Sequence, residues 1–206
     1  MITHARSIIL PDWAGKPVEE EEAGWSVIRC FEPQERDFQV GLADLSHRPK
    51  AIVHGPTVRK LGNFKTGQVL WTGRAFFACL KPDEVFIYDL TGPMNPDWLD
   101  AYYTDLTEGL VLLALFGPRS LEVMQRLVSI DVELPEQKEP FYLATRSHAI
   151  IVHILNPKTI EPGFFLVCAR SHGQNLFNGC VHAGRHLGLR PAGMETFRAW
   201  LTSMNF

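Results

Sequence analysis

The feature that most constrains this chain is the unbroken apolar run Leu110-Val111-Leu112-Leu113-Ala114-Leu115-Phe116. It has the length of a β-strand and falls far short of the roughly 20 residues that a membrane-spanning helix needs. Successive strand side chains point to opposite faces, so a strand with no polar position reads as buried on both. Gly117 and Pro118 follow directly. After them Leu121, Met124, Leu127 and Val128 recur at the three-to-four-residue spacing of an amphipathic helix. The glycine permits a tight turn, and a proline at a helix start loses no hydrogen bond. The same order occurs earlier, with Ala51–His54 as strand, then Gly55-Pro56, then a helix from Thr57 to Leu61 that Gly62 cuts short. Two copies point to duplication within one domain, because a solenoid needs at least three repeats.

Strand-like runs fill the space between the copies at Gln68–Trp71, Ala75–Leu80 and Val85–Tyr88. Asp97 is expected to open a helix with Trp98, Leu99, Tyr102 and Leu106 on one face, ended by Gly109. Further strands are expected at 141–145, 149–155 and 164–169, with a helix from about Gln174 to Leu187 that Gly188 ends. Met194, Phe197, Trp200 and Leu201 give a last short helix one apolar side. Helices and hairpin-like strand pairs alternate irregularly, which predicts an α+β fold with mixed, mainly antiparallel sheets. Residues 1–24, with Glu19 to Glu22 in a row, read as an extended, solvated arm, and 25–206 as a single domain.

Composition narrows the function classes. Of 206 residues 46% are apolar and 21% charged, with a formal net charge of -3, an ordinary globular balance. No basic field is available for a phosphate backbone, so nucleic acid is not an expected partner. Cys30, Cys79, Cys168 and Cys180 form no C-x-x-C pair and sit among apolar neighbours, as reduced core thiols do. No apolar leader or membrane span is readable, so the chain is expected to be soluble and cytoplasmic.

Few residues carry a chemical signature. His182 and His186 have the i, i+4 spacing of metal ligands, but both fall on the outer side of their helix and no third ligand is assignable. His148 and His153 are five apart in a strand and face opposite ways. Ser46-His47 and Ser171-His172 are adjacent pairs whose side chains diverge, not nucleophile and base. There is no nucleophile elbow and no Gly-rich phosphate loop. Glu161 stands apart, in the turn Thr159-Ile160-Glu161-Pro162-Gly163 that leads into the apolar Phe164-Phe165, where an acid can face a ligand cleft.

The order of Gly41-Leu42-Ala43-Asp44-Leu45-Ser46-His47, the two Gly-Pro turns, Glu161-Pro162-Gly163-Phe164 and Gly188-Leu189-Arg190-Pro191-Ala192-Gly193 carries a resemblance. Over about residues 25–200 the chain resembles the N-terminal, folate-binding portion of the aminomethyltransferase (glycine-cleavage T-protein) superfamily. It is most similar to short members, the gamma subunits of heterotetrameric sarcosine oxidases, whose kind of turn Lys81-Pro82-Asp83-Glu84 matches. The resemblance implies a T-protein fold of duplicated ferredoxin-like units, with Glu161 and Phe164 as tetrahydrofolate-binding residues, Glu161 supplying the acid and Phe164 or Phe165 an apolar wall. It also shows departures. The loop that supplies the family's catalytic aspartate has no counterpart before Phe76-Phe77-Ala78-Cys79-Leu80, an aromatic position is Lys158, and Phe197-Arg198-Ala199-Trp200 replaces an Arg-Leu-Glu run. Within these 206 residues the resemblance extends neither to the family's C-terminal barrel domain nor to the cysteine signature of its iron–sulfur-assembly relatives.

These departures imply no catalytic residue in this chain, no metal, and weak or vestigial folate binding. The expected role is an accessory subunit of a one-carbon or amine-oxidising complex. Its partner would be a flavin-dependent or longer T-protein-like chain, or a second copy of itself. The alternatives are a folate-dependent aminomethyl- or methyl-transferring enzyme or C1 carrier, and a binding module without folate. The outer-face reading of His182 and His186 has a direct check. Replacing each with Ala should change stability by no more than about ±0.5 kcal/mol, measured by denaturant unfolding. Tightly bound Zn or Fe lost from the double variant would contradict it.

Overall fold

The computed structural model describes residues 8–33, 38–92, 103–133, 139–147, 149–159 and 161–203. The apolar run is strand β9 (Leu110–Phe116), and Val111 to Phe116 have no solvent exposure. Both of its long edges are taken. β12 (Gly163–Ala169) pairs antiparallel on one side and β3 (Val40–Asp44) on the other. Beyond them lie β11 (Ile150–Asn156) and β10 (Phe141–Ser147) at one edge, and β13 (Leu189–Ala192) at the other, making a six-stranded sheet. A second, five-stranded sheet has the order β5 (Val69–Trp71), β6 (Ala75–Lys81), β7 (Glu84–Asp89), β4 (Lys50–His54) and β8 (Tyr103–Asp105).

The alternation along β9 builds two cores at once. Val111, Leu113 and Leu115 face α2 (Ser120–Leu127) and α3 (Gly173–Gly184), where Val123, Met124, Phe177 and Cys180 close the space. Leu112, Ala114 and Phe116 face the other way, toward Ile52, Phe76, Phe86 and Tyr88 of the five-stranded sheet. That sheet's outer face packs Val53, Phe77 and Ile87 against Val58 of the short helix α1 (Val58–Leu61). The layers therefore run helices, sheet, sheet, helix, and the sheet-to-sheet layer is the largest aromatic cluster.

The two Gly-Pro copies sit in different sheets, one after β4 and one after β9, as a duplicated α+β unit requires. Gly117 shows why its position takes no side chain. Its φ is +111°, and an added Cβ would lie 2.8 Å from the Gln39 carbonyl oxygen.

Three expectations change. The helix expected from Asp97 to Gly109 falls partly outside the described residues, but 103–105 form β8, paired antiparallel with β4. A free sheet edge overrides local helical spacing there, with Leu106 N–H donating to Lys50 O at 2.8 Å. Leu189–Ala192, for which no element is expected from the sequence, runs parallel to β3 at the sheet edge, where the missing N–H of Pro191 is tolerated. Glu19 to Glu22, expected as part of an extended arm, belong to β1 (Lys16–Glu22), which pairs along its whole length with β2 (Trp25–Glu32) while Glu19 and Glu21 stay exposed.

The last helix, α4 (Met194–Ser203), caps one end of the inter-sheet core with Met194, Phe197 and Trp200 buried. Trp200 lies on Phe116 at 5.0 Å between ring centroids, close to parallel. It also rests on Gly163, where an added Cβ would come within 2.2 Å of Cζ2. Trp200→Ala should cost about 3–5 kcal/mol, as large buried aromatic truncations do. Gly163→Ala should cost about 1–3 kcal/mol by overpacking and close to nothing in the Trp200→Ala background. Urea midpoints of the four proteins in this cycle check the coupling, and additive effects would refute it.

Candidate functional site

Glu161 reaches a cavity through two turns that meet. The Gly117 N–H donates to Pro162 O at 2.9 Å, which joins the turn after β9 to the turn before β12. The cavity there, about 480 Å³, is lined by Glu161, Glu195, Phe38, Phe116 and Trp200. Phe38 meets Phe116 edge-on at 5.7 Å. Glu195 is ion-paired, accepting from Arg29 Nη1 at 2.6 Å. Glu161 is exposed at the rim, so the site offers a second carboxylate, beside the one Arg29 holds, over aromatic walls. That combination suits a flat ring carrying N–H donors.

The structure separates Phe164 from Glu161. Phe164 is 2% exposed and lies in the core beneath α2 and α3, on the opposite face of β12 from the cavity. The cause is register. Phe164 stands opposite Leu115, and both point away from the inter-sheet side. Phe165 takes the inter-sheet side, with its ring 5.9 Å from Trp200. The walls beside Glu161 are therefore Phe116 and Trp200, and Trp200 was legible only as an apolar position of the last helix. Lys158 does not pair with Glu161. Its Nζ lies 5.5 Å over the Phe141 ring, on a residue with φ +55°.

A second polar constellation lies between the β1–β2 hairpin, the β3–β4 turn and α4. Glu22 accepts from Arg48 Nη1 at 2.8 Å and Arg198 Nη2 at 3.3 Å, with His47 Nε2 at 3.4 Å. The His47 ring at this distance, with Arg48 and Arg198 adding charge, holds its carboxyl down to about 2 against the opposing effect of burial. Behind it Lys50 is fully buried and donates from Nζ to Ser46 O at 2.8 Å and Arg48 O at 2.7 Å. Burial lowers its ammonium to about 7. Asp44 accepts from the Ser46 N–H at 2.9 Å and the Ser46 hydroxyl at 2.5 Å, and burial raises its carboxyl. The Lys50 ammonium and the Asp44 carboxylate are spent on holding the turn, a structural use of the Gly41–His47 motif.

His182 is exposed on α3 and His186 is exposed on the 3-10 turn Arg185–Leu187 that follows it. No group of three or more His, Cys, Asp or Glu side chains suited to a metal occurs among the described residues. No described helix is long and apolar enough to cross a membrane. The four cysteines are free thiols.

Two stacked, mostly antiparallel sheets with outer helices define an α+β class of fold. The GCVT N-terminal domain matches residues 90–202, more than half of the chain, and the chain belongs to that family. The aminomethyltransferase of Koribacter versatilis (strain Ellin345) is 26% identical over 189 residues, covering 75% of this chain and 49% of that protein. The aminomethyltransferase of Bacillus velezensis (strain DSM 23117 / BGSC 10A6 / LMG 26770 / FZB42) is 23% identical, covering 90% of this chain and 59% of that one. The chain thus spans about half the length of the curated relatives it matches. Among solved structures, a heterotetrameric sarcosine oxidase from Corynebacterium sp. U-96, in complex with pyrrole 2-carboxylate, shares the fold. The TM-score is 0.61 at 17% identity, over 72% of this chain and 85% of that one.

The Glu22 cluster sets a pH dependence. A carboxyl held below its ordinary value of 4.5 contributes stability that is present above that value and lost as pH falls toward about 2. The melting temperature should therefore drop between pH 5 and 2. In Glu22→Gln it should start lower at pH 7 and fall less steeply. Superimposable pH profiles for parent and variant would refute the assignment.

Proposed function

We propose that the chain serves as an accessory subunit of a sarcosine-oxidase-like, amine-oxidising assembly, in which flavin- and folate-bearing partner chains do the chemistry. The supporting observation is the fold match that takes in 85% of one chain of a heterotetrameric sarcosine oxidase. The polar clusters described above point the same way, because their charges are spent on structural contacts and not aimed at a reacting centre. The purified chain should show neither sarcosine oxidation nor aminomethyl transfer with tetrahydrofolate and an amine donor. Co-expressed with flavin-bearing subunits from the same source, it should elute with them at fixed stoichiometry. Turnover by the chain alone would overturn this reading.

A second reading, a folate-binding protein in its own right, is favoured by Glu161 standing over the Trp200–Phe116 wall. Its carboxylate would pair with the pterin ring's amide N–H and 2-amino donors, which cost about 1–3 kcal/mol each if buried unpaired. The rim is open and Glu161 is exposed, so we expect a dissociation constant no better than roughly millimolar, about -4 kcal/mol. Calorimetry with tetrahydrofolate decides between the readings. Micromolar binding that disappears in Glu161→Ala would promote the second.

A further inference from the structure

At the end of the inter-sheet space away from α4, an open cleft of about 650 Å³ lies between the two sheets. It is reached at Val167 to Ala169, the last residues of β12. At about 3.3 Å per strand residue, that is about 20 Å from Glu161. Its walls are apolar, with Ile52, Phe86 and Val167 inside and Ile151, 56% exposed, on the rim. Three imidazoles line it, from His54, His153 and His172, and no carboxylate does so among the described residues. Outside the lining, Glu84 lies 3.9 Å from His54 Nδ1 and is itself paired with Lys81 at 3.1 Å.

Behind the cleft runs a buried hydrogen-bond chain. The Tyr88 and Tyr142 hydroxyls are 2.8 Å apart, and the Tyr142 hydroxyl is 2.5 Å from His153 Nδ1. Proton bookkeeping fixes its direction. Tyr88 is 1% exposed and has no other partner among the described residues, so its proton is satisfied only by donation to Tyr142. Tyr142 must then donate to Nδ1, since the reverse direction leaves a buried O–H unpaired. Burial raises both phenols and lowers the imidazole, which keeps all three groups neutral. The His153 proton is thereby placed on Nε2, the nitrogen left for the cleft. An apolar molecule filling this space would strand that N–H, so the occupant must bring an acceptor. The volume falls within the range of small-molecule sites.

We propose that this cleft binds a small apolar carboxylate, its hydrocarbon body between the sheets and its carboxylate accepting from His153 Nε2–H, with His54 and His172 at the mouth. The inference stands apart from the subunit reading, because the chain alone binds and neither folate nor a partner is needed. The test is calorimetry on the full chain with octanoate, with octylamine as the cationic counterpart of equal length, and nitrogen-15 spectra of the histidine rings. Octanoate should bind one site with a dissociation constant below about 1 mM and shift the His153 Nε2–H signal. Octylamine should bind at least about tenfold more weakly, a gap of about 1.4 kcal/mol. His153→Phe should weaken octanoate by a similar factor, Ala149→Trp should block it at the rim, and Glu161→Ala should leave it unchanged. No octanoate binding at millimolar concentration, equal binding of octylamine, an unmoved His153 signal, or loss in Glu161→Ala would each overturn the proposal. The ring signal is read in the parent protein, so the test holds even if a variant fails to fold.

Discussion

Everything in this structure depends on one strand that is apolar on both faces and hydrogen-bonded along both edges. β9 has no solvent-exposed position from Val111 to Phe116. Its odd-numbered residues hold α2 and α3, and its even-numbered residues hold the second sheet. At about 25 cal/mol per Å² of buried apolar surface, a strand used twice stabilises more per residue than one with a wet face. It also couples the two cores, so that a change of register in β9 would invert both.

Ends of the chain far apart in sequence are then tied to this centre by a few polar contacts. Glu22 joins the hairpin to the β3–β4 turn through Arg48 and to α4 through Arg198. Buried Lys50 holds the same turn from inside by donating to two backbone carbonyls. Such a network is costly to break from one side, because the remaining partner is left buried and unpaired. Trp200 closes the opposite contact by lying flat on Phe116 over a glycine that leaves room for it.

The space between the sheets has two ends, and they differ chemically. At the α4 end an exposed acid stands over aromatic rings, with Glu195 already neutralised by Arg29. At the other end three imidazoles line an apolar cleft, and one is held in a single tautomer by two buried tyrosines. A family whose domain fold is shared by aminomethyltransferases and by a chain of a sarcosine oxidase assembly thus keeps, in this chain, two unlike openings onto one core.

The sequence by itself determined the elements whose signal is local. The unbroken run from Leu110, the Gly117-Pro118 turn, the helical spacing after it and the apolar side of 194–201 all report periodicity or turn chemistry within a few residues. Glu161 was legible for the same reason, as an acid in a turn before a buried strand. Only the tertiary structure decided the rest, because it depends on which edge or face a distant segment meets. Residues 103–105 became a strand because β4 had a free edge, and Leu189–Ala192 became one beside β3 despite its proline. Phe164 left the cavity because its register with Leu115 turned it to the helices. The Tyr88–Tyr142–His153 chain joins residues from β7, β10 and β11, and no local pattern marks a hydrogen bond across 54 positions of sequence.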